Sequence, residues 1–214
     1  MSQSLAELRH EYALGALSEA DVDPDPIQQF QRWLREAISA QLPEPNAMTL
    51  ATADRTGRPY ARVVLLKDCD AEGFVFFTNY RSDKGRQLAE NPHTALVFLW
   101  LELERQVRVE GTVGKIPNAE SEAYFHSRPR ESRLGALASR QSQVIANRQM
   151  LDERYQRLAA QYPDDNIPMP NQWGGYRVRP EMLEFWQGRH GRMHDRLRYR
   201  RQTDGSWWLE RLEP

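Results

Sequence analysis

The hydrophobic positions of this 214-residue chain change period partway along. Leu5, Leu8, Tyr12, Leu14 and Leu17 fall at roughly helical spacing and predict an amphipathic first helix over residues 4–18. "DVDPDP" at 21–26 breaks it. Asp25 as N-cap and Pro26 in the first turn open a second helix, whose apolar face is Ile27, Phe30, Leu34, Ala37 and Ile38 and which "LPEPN" at 42–46 ends.

From Met48 the period shortens. "MTLATA", "YARVVLL", "FVFFTN", "ALVFLWL" and "RQVRVEGTV" are β-branched or aromatic runs, and "DRTG" and "DCDAEG" between them are turn chemistry at hairpin spacing. "SDKGRQLAEN" interrupts them with Ser82 as N-cap of a short helix that stops at Asn91-Pro92. Residues 118–128 and 142–161 read as helices, the second through Val144, Ile145, Met150, Leu151, Tyr155 and Leu158. Strands return as "YRVRP", "LEFWQ", "LRYRRQ" and "WWLERL", the last two joined by "TDGS". Eight or nine short strands, hairpin-joined with helices inserted between them, predict an α+β antiparallel barrel decorated by helices rather than a doubly wound sheet. Residues 1–41 are expected to form a helical segment packing on a barrel of residues 42–214, together one domain.

Composition narrows the function. With 29 basic against 30 acidic residues and a net charge of −1, the chain lacks the overall positive field of a nucleic-acid binder, so any cationic site is local. Cys69 is the sole cysteine, which excludes an internal disulfide and a thiolate cage. The longest apolar run, "ALVFLWL", is too short to cross a bilayer, and "MSQSLAELRH" has no apolar secretory core. A soluble, cytoplasmic protein is expected.

Chemistry concentrates in three stretches. "QGRHGRMHDRLRYRRQ" at 187–202 holds six arginines and two histidines. Arg198, Arg200 and Arg201 read as one solvated face of a strand, whereas Arg192, His194 and Arg196 share a parity in an extended segment and follow a Gly-punctuated loop where side chains can converge. The flanking arginines speak against a metal at His190 and His194, and no metal is expected. "TNYRSDK" sets Thr78 at a strand end and Ser82 and Lys84 at a helix start, which suits a phosphate monoester. "YFHSRPRESR" puts Tyr124 and Arg128 one helical turn apart, with Pro129 ending the helix and Ser132 in the following loop. Those are phosphate-binding groups, though a helix C-terminus answered by arginine would look the same. Arg62 and Lys67 bracket "RVVLLK", as two ordinary surface charges would. The chain has no G-x-S-x-G elbow, P-loop or G-x-G-x-x-G.

Taken together, "RVVLLK", "FFTN", "LERQV", "YFHSRPRESRLGA", "QS" at 141–142, "WGGYRV" and "FWQG…RMHDR" resemble the pyridoxine/pyridoxamine 5′-phosphate oxidase family over nearly the whole chain. The resemblance implies a homodimeric split-barrel flavoprotein with FMN at the subunit interface. It implies oxidation of pyridoxine or pyridoxamine 5′-phosphate to pyridoxal 5′-phosphate, with O2 reduced to H2O2. FMN would be held by Arg62, Val63, Val64, Leu65, Leu66, Lys67, Phe77, Thr78, Asp83, Lys84, Gln106, Gln141, Ser142, Trp186 and Arg196. The substrate phosphate would fall to Lys67, Tyr124, Arg128 and Ser132. Arg192 and His194 would flank the pyridine ring as the catalytic pair, His194 taking the proton and Glu44 standing as a weaker alternative, while Arg9 and Tyr12 would close over the ring.

One position departs from the family pattern. Many relatives carry "SRK" where this chain has "SDK", which puts Asp83 at the phosphate site. Asp83 is expected to turn outward or to offer only its backbone N–H, with Arg81 or Arg86 compensating. A reductase on the same barrel would not need "YFHSRPRES" or "RMHDR". A non-catalytic flavin or vitamin-phosphate carrier would keep both and consume no oxygen, and a nucleic-acid binder would be colourless and salt-sensitive.

Overall fold

The computed structural model describes residues 4–7 and 11–214. Nine strands form one antiparallel sheet: β1 (Ala47–Ala53), β2 (Pro59–Leu65), β3 (Asp68–Asp70), β4 (Gly73–Asn79), β5 (His93–Trp100), β6 (Arg105–Lys115), β7 (Trp173–Gln187), β8 (Asp195–Arg201) and β9 (Trp207–Leu212). Five α-helices accompany them: α1 (Pro26–Ser39), α2 (Asp83–Glu90), α3 (Asn118–Ser127), α4 (Arg130–Ala138) and α5 (Arg148–Gln161).

The sheet order is β2-β1-β5-β6-β7-β4-β3, with β8 on β7 and β9 on β8. β7 is the organising strand. "YRVRP" and "LEFWQ", expected as two strands, run on as one, and β6 pairs with it along its length. The other edge of β7 is shared: residues 173–178 pair with β4, and residues 182–187 pair with β8. Pro180 sits between the two, where a missing N–H does least harm, and β6 shifts register opposite it at Glu110/Gly111. A Cβ on Gly111 would lie 2.0 Å from the Arg179 carbonyl oxygen, so the bulge requires glycine. Here the edge of β7 passes from β4 to β8.

The concave face closes on Phe30 and Trp33 of α1. Asp25 caps that helix by accepting from the Ile27 N–H, and Pro26 stands in its first turn, as expected. Phe30 is fully buried and meets Phe74 at 4.9 Å and Phe98 at 4.8 Å between ring centres. Truncating it would leave a cavity costing about 3–5 kcal/mol. A second, smaller core of Phe125, Leu134, Ile167 and Trp173 lies under α3, α4 and α5.

Several expectations are corrected. Of the first helix, only a 3₁₀ turn at Leu5–Glu7 is present among the described residues, and residues 11–18 carry no helix. Their N–H groups go to carboxylates across the chain: Ala13 and Leu14 donate to Glu104, and Leu17 donates to Asp195. Helical spacing alone could not reveal acceptors some 90 and 178 residues away. The helix expected over 142–161 begins only at Arg148, after Asn147 caps Met150. Ser132 is in the first turn of α4, not in a loop, because Pro129 starts a new helix after the break at Arg128. "DCDAEG" contributes the short strand β3 as well as a turn.

Candidate functional site

Side chains of three kinds gather at the two ends of β7. At its beginning, Thr78 of β4 stands opposite Gly174. The Thr78 hydroxyl and the Lys84 ammonium both donate to the Gln141 side-chain oxygen, at 3.1 and 3.3 Å. The first N–H of α2, on Asp83, donates to the Ser142 hydroxyl at 3.2 Å, and Ser82 caps the helix by accepting from Gly85. Arg62 on β2 is held from behind, donating to the Leu50 carbonyl, to Thr52 Oγ1 at 2.6 Å and to Gln87 Oε1 at 2.9 Å. Burial loosens the protons of Arg62 and Lys84, and for Lys84 the nearby Arg62 charge adds to it. Two crowded cations, two hydroxyls and a helix N-terminus are the donor set of a phosphate monoester, so these residues fit the phosphate end of FMN.

Asp83 is accommodated by facing Arg86. Its carboxylate pairs with the Arg86 guanidinium, and both side chains are about half exposed. Arg86 also donates to the Arg81 carbonyl at 2.7 Å. Arg86 is therefore engaged by Asp83 and the backbone rather than by the donor set around Lys84.

β2 is an edge strand of the sheet. Val63 is largely exposed, Val64 packs partly on the core, Leu65 is half-buried, Leu66 is buried and Lys67 is exposed. One edge of the strand is thus unpaired within the sheet, beside Arg62.

Next to this cluster is an aromatic stack that the sequence reading missed in part. Tyr124 lies on Phe77 with ring centres 3.9 Å apart, and Trp173 stands nearly parallel to both, 5.3 Å from Phe77 and 6.2 Å from Tyr124. The Arg128 guanidinium sits 4.9 Å over Trp173. Arg128 does not continue the helical face of Tyr124, because its backbone is already extended (φ −77°, ψ 150°); it meets Trp173 instead. Its Nη1 is buried and has no hydrogen-bond partner among the described residues. Burial lowers its pKa and raises that of the Tyr124 phenol. A buried guanidinium nitrogen aimed at nothing in its own chain has the chemistry of an anion contact. Trp173, the first residue of "WGGYRV", was legible only as part of that motif.

The third group stands at the far end of β7. Trp186 pairs in register with Gln106 on β6 and with Arg196 on β8. His194 lies on Trp186 at 4.7 Å, and Tyr12 meets both rings edge-on at 5.5 Å. Tyr12, Leu99, Leu101, Glu104, Gln106 and Trp186 line a cavity of about 340 Å³. Arg196 is fixed by Glu184 at 2.9 Å and by the Glu213 carbonyl at 2.9 Å. The shared parity expected of Arg192, His194 and Arg196 does not hold. His190–Arg192 form a 3₁₀ turn in which Gly191 and Arg192 both have positive φ, and the extended backbone resumes only at Asp195. Arg192 is exposed. Arg9 lies outside the described residues.

His194 Nδ1 accepts the Arg189 N–H at 3.1 Å. In the neutral ring this leaves the proton on Nε2, so the imidazole presents a donor there. That differs from the proton-accepting role expected of it.

Between Thr78's partner Gly174 and Trp186, β7 runs for about 40 Å of contour. The two clusters therefore stand at opposite ends of the strand. Among the described residues no helix is long and apolar enough to cross a membrane.

Fold and site together define a split-barrel protein of the antiparallel α+β class, with cationic and aromatic clusters at both ends of its longest strand. Residues 34–162 match the family described as Pyridoxamine 5′-phosphate oxidase, and residues 173–214 match the Pyridoxine 5′-phosphate oxidase C-terminal dimerisation region. The chain belongs to the pyridoxine/pyridoxamine 5′-phosphate oxidase family. It is 56% identical over 214 residues to the pyridoxine/pyridoxamine 5′-phosphate oxidase of Trichormus variabilis, covering 100% of both chains. It is 58% identical over 211 residues to the protein of that name from Paraburkholderia phymatum, covering 99% of each. Among solved structures it resembles PhzG from Burkholderia lata, crystallised with tetrahydrophenazine-1-carboxylic acid. The TM-score is 0.88 at 31% identity, over 94% of this chain and 99% of that one.

Proposed function

We propose that the protein oxidises pyridoxine or pyridoxamine 5′-phosphate to pyridoxal 5′-phosphate, using FMN and O2 and releasing H2O2, as a homodimer of the cytoplasm. The observation that carries this is the end-to-end match to oxidases of that name at 56–58% identity. The match of residues 173–214 to a dimerisation region supports the dimer, in which a second copy can set the Trp186 end of one chain against the Lys84 end of the other, and the lone Cys69 suits a reducing compartment.

In this reading Arg62, Thr78, Lys84, Gln141 and Ser142 hold the cofactor phosphate, with the Asp83 backbone supporting Ser142. The β2 edge from Val63 to Lys67, Phe77, and the partner-borne Gln106, Trp186 and Arg196 surround its ring. These residues would hold FMN, which would supply a two-electron acceptor for the hydride of the substrate C–H bond with O2 as the final oxidant. Lys67, Tyr124, Arg128 and Ser132 grip the substrate phosphate, and Arg192, His194 and Tyr12 fix the pyridine so that the reacting carbon stays at near-attack distance. His194 would serve through its Nε2–H as a donor to the ring oxygen, and the O–H or N–H proton released as the hydride leaves would pass to solvent water.

Anaerobic addition of pyridoxine 5′-phosphate to the purified protein tests the proposal. Bleaching of the flavin band, with colour and H2O2 returning on admission of air, is expected. A coloured protein that does not bleach would be a carrier, and a colourless one that binds no FMN would end the reading.

A further inference from the structure

We propose that Glu104 is a positioning residue that sets Tyr12 over the substrate cavity by latching the backbone of residues 13 and 14. The inference rests on the proposed function only where it concerns substrate; the latch itself stands on geometry.

Glu104 is 4% exposed and follows the 3₁₀ turn Leu101–Leu103 in a left-handed conformation, φ 53° and ψ 40°. A non-glycine residue adopts that conformation at a cost of about 1 kcal/mol or more, which the surrounding bonds must offset. One carboxylate oxygen, Oε2, accepts two consecutive N–H groups, from Ala13 at 2.8 Å and Leu14 at 2.9 Å. The Glu104 carbonyl accepts the Gly188 N–H at 2.8 Å and the Gln187 amide at 3.2 Å. One residue thereby joins the strap that carries Tyr12 to the end of the strand that carries Trp186.

The ring seat is cut to match. A Cβ on Gly188 would lie 2.8 Å from Tyr12 Cγ and Cδ1, so a side chain there would push the ring off Trp186 and His194. Five residues past Tyr12 the strap is clamped again, with the Leu17 N–H on Asp195 at 3.0 Å and the Leu17 carbonyl on Arg211 at 3.0 Å. Between the two attachments the strap adds little to the core: Ala13, Leu14 and Ala16 are exposed, Leu14 by 66%. The bonds to Glu104 thus govern where Tyr12 stands more than whether the barrel folds. Charge-assisted bonds from two adjacent N–H groups are among the stronger local restraints available to a segment without helix or strand.

Hydrogen exchange followed by mass spectrometry on the FMN-loaded full-length protein provides the test, with steady-state kinetics alongside. In Glu104→Ala, exchange at residues 13–14 should speed up about tenfold or more while the β-sheet and FMN affinity stay as they were. KM for pyridoxine 5′-phosphate should rise about tenfold with a smaller change in kcat. Glu104→Gln keeps an acceptor oxygen and should restore most of the protection. Gly188→Ala should raise KM similarly while leaving residues 13–14 protected, since it moves the ring and not the latch. Wild-type exchange at 13–14 in Glu104→Ala overturns the latch; faster exchange with wild-type KM overturns the positioning role. Should Glu104→Ala not fold, Gly188→Ala decides, and an unchanged KM there overturns the proposal. If the wild-type protein consumes no oxygen, the functional reading fails, while the exchange comparison still reports on the latch.

Discussion

The guanidinium of Arg128 lies 4.9 Å over the ring of Trp173, with its Nη1 buried and unpaired among the described residues. A cation held over an aromatic face with one nitrogen buried and unpaired is prepared for an anion before one arrives. Arg128→Ala should raise KM for the phosphorylated substrate about tenfold to a hundredfold, the scale of one charge-assisted hydrogen bond, with flavin retention unchanged. Arg128→Lys should recover only part of this, because an ammonium cannot stack as a planar fork does. Oxygen-electrode kinetics beside flavin absorbance of the purified variants measures both.

Asp83 pairs with Arg86 beside the cationic cluster, and its field still reaches Arg62 and Lys84, partly offsetting the loosening of their protons by burial. Asp83→Asn should tighten FMN binding about three- to tenfold at low salt and less at high salt, because the carboxylate is about half exposed and screened. Titration of flavin fluorescence at two ionic strengths reads the difference; a weaker affinity would mean that the Asp83–Arg86 pair organises the site.

His194 accepts from the Arg189 N–H and so offers Nε2–H. His194→Asn should lower turnover more than it lowers FMN retention, and His194→Leu, which has no donor, should be worse than Asn. Equal loss of turnover and flavin would reassign the residue to cofactor binding.

Glu184 is buried between Arg108 at 3.1 Å and Arg196 at 2.9 Å. Glu184→Ala leaves two like charges adjacent. It should cost about 2–3 kcal/mol, below the 3–5 typical of a fully buried pair because both arginines reach solvent. Urea denaturation measures it, and a neutral result would mean that water replaces the carboxylate.

The strap clamp should open in acid. Hydrogen bonding from Arg211 draws the Glu19 carboxyl from its ordinary 4.5 to about 2. Burial pushes Asp195 up, but the Leu17 N–H, Arg211 and Arg189 outweigh it and its pKa is lowered. A depressed carboxyl pKa stabilises the folded clamp above its unfolded value and loses that contribution as protons bind. Protection of the Leu17 amide should therefore be full above about pH 4.5 and fall toward pH 2. Exchange at a series of pH values, corrected for intrinsic rate, follows it.

Much of this protein was legible in one dimension because its signals are local. Asp25 with Pro26 starts α1, Ser82 caps α2, and short β-branched runs between turn residues give an antiparallel barrel; each depends on neighbours within a few positions. The motifs also singled out Lys84, Thr78, Arg128 and His194, and the fold sets each of them in a cluster of polar or aromatic side chains. Other features depend on partners far along the chain. Residues 11–18 have the spacing of a helix but give their N–H groups to Glu104 and Asp195, and β7 is continuous because β4 and β8 each bond half of one edge. Arg128 leaves its helix for Trp173, and the Arg189 N–H sets which nitrogen of His194 carries the proton. Residue order sufficed wherever hydrogen bonds and burial close within a turn or a hairpin; folding decided wherever a donor had to choose among acceptors that only the barrel brings near.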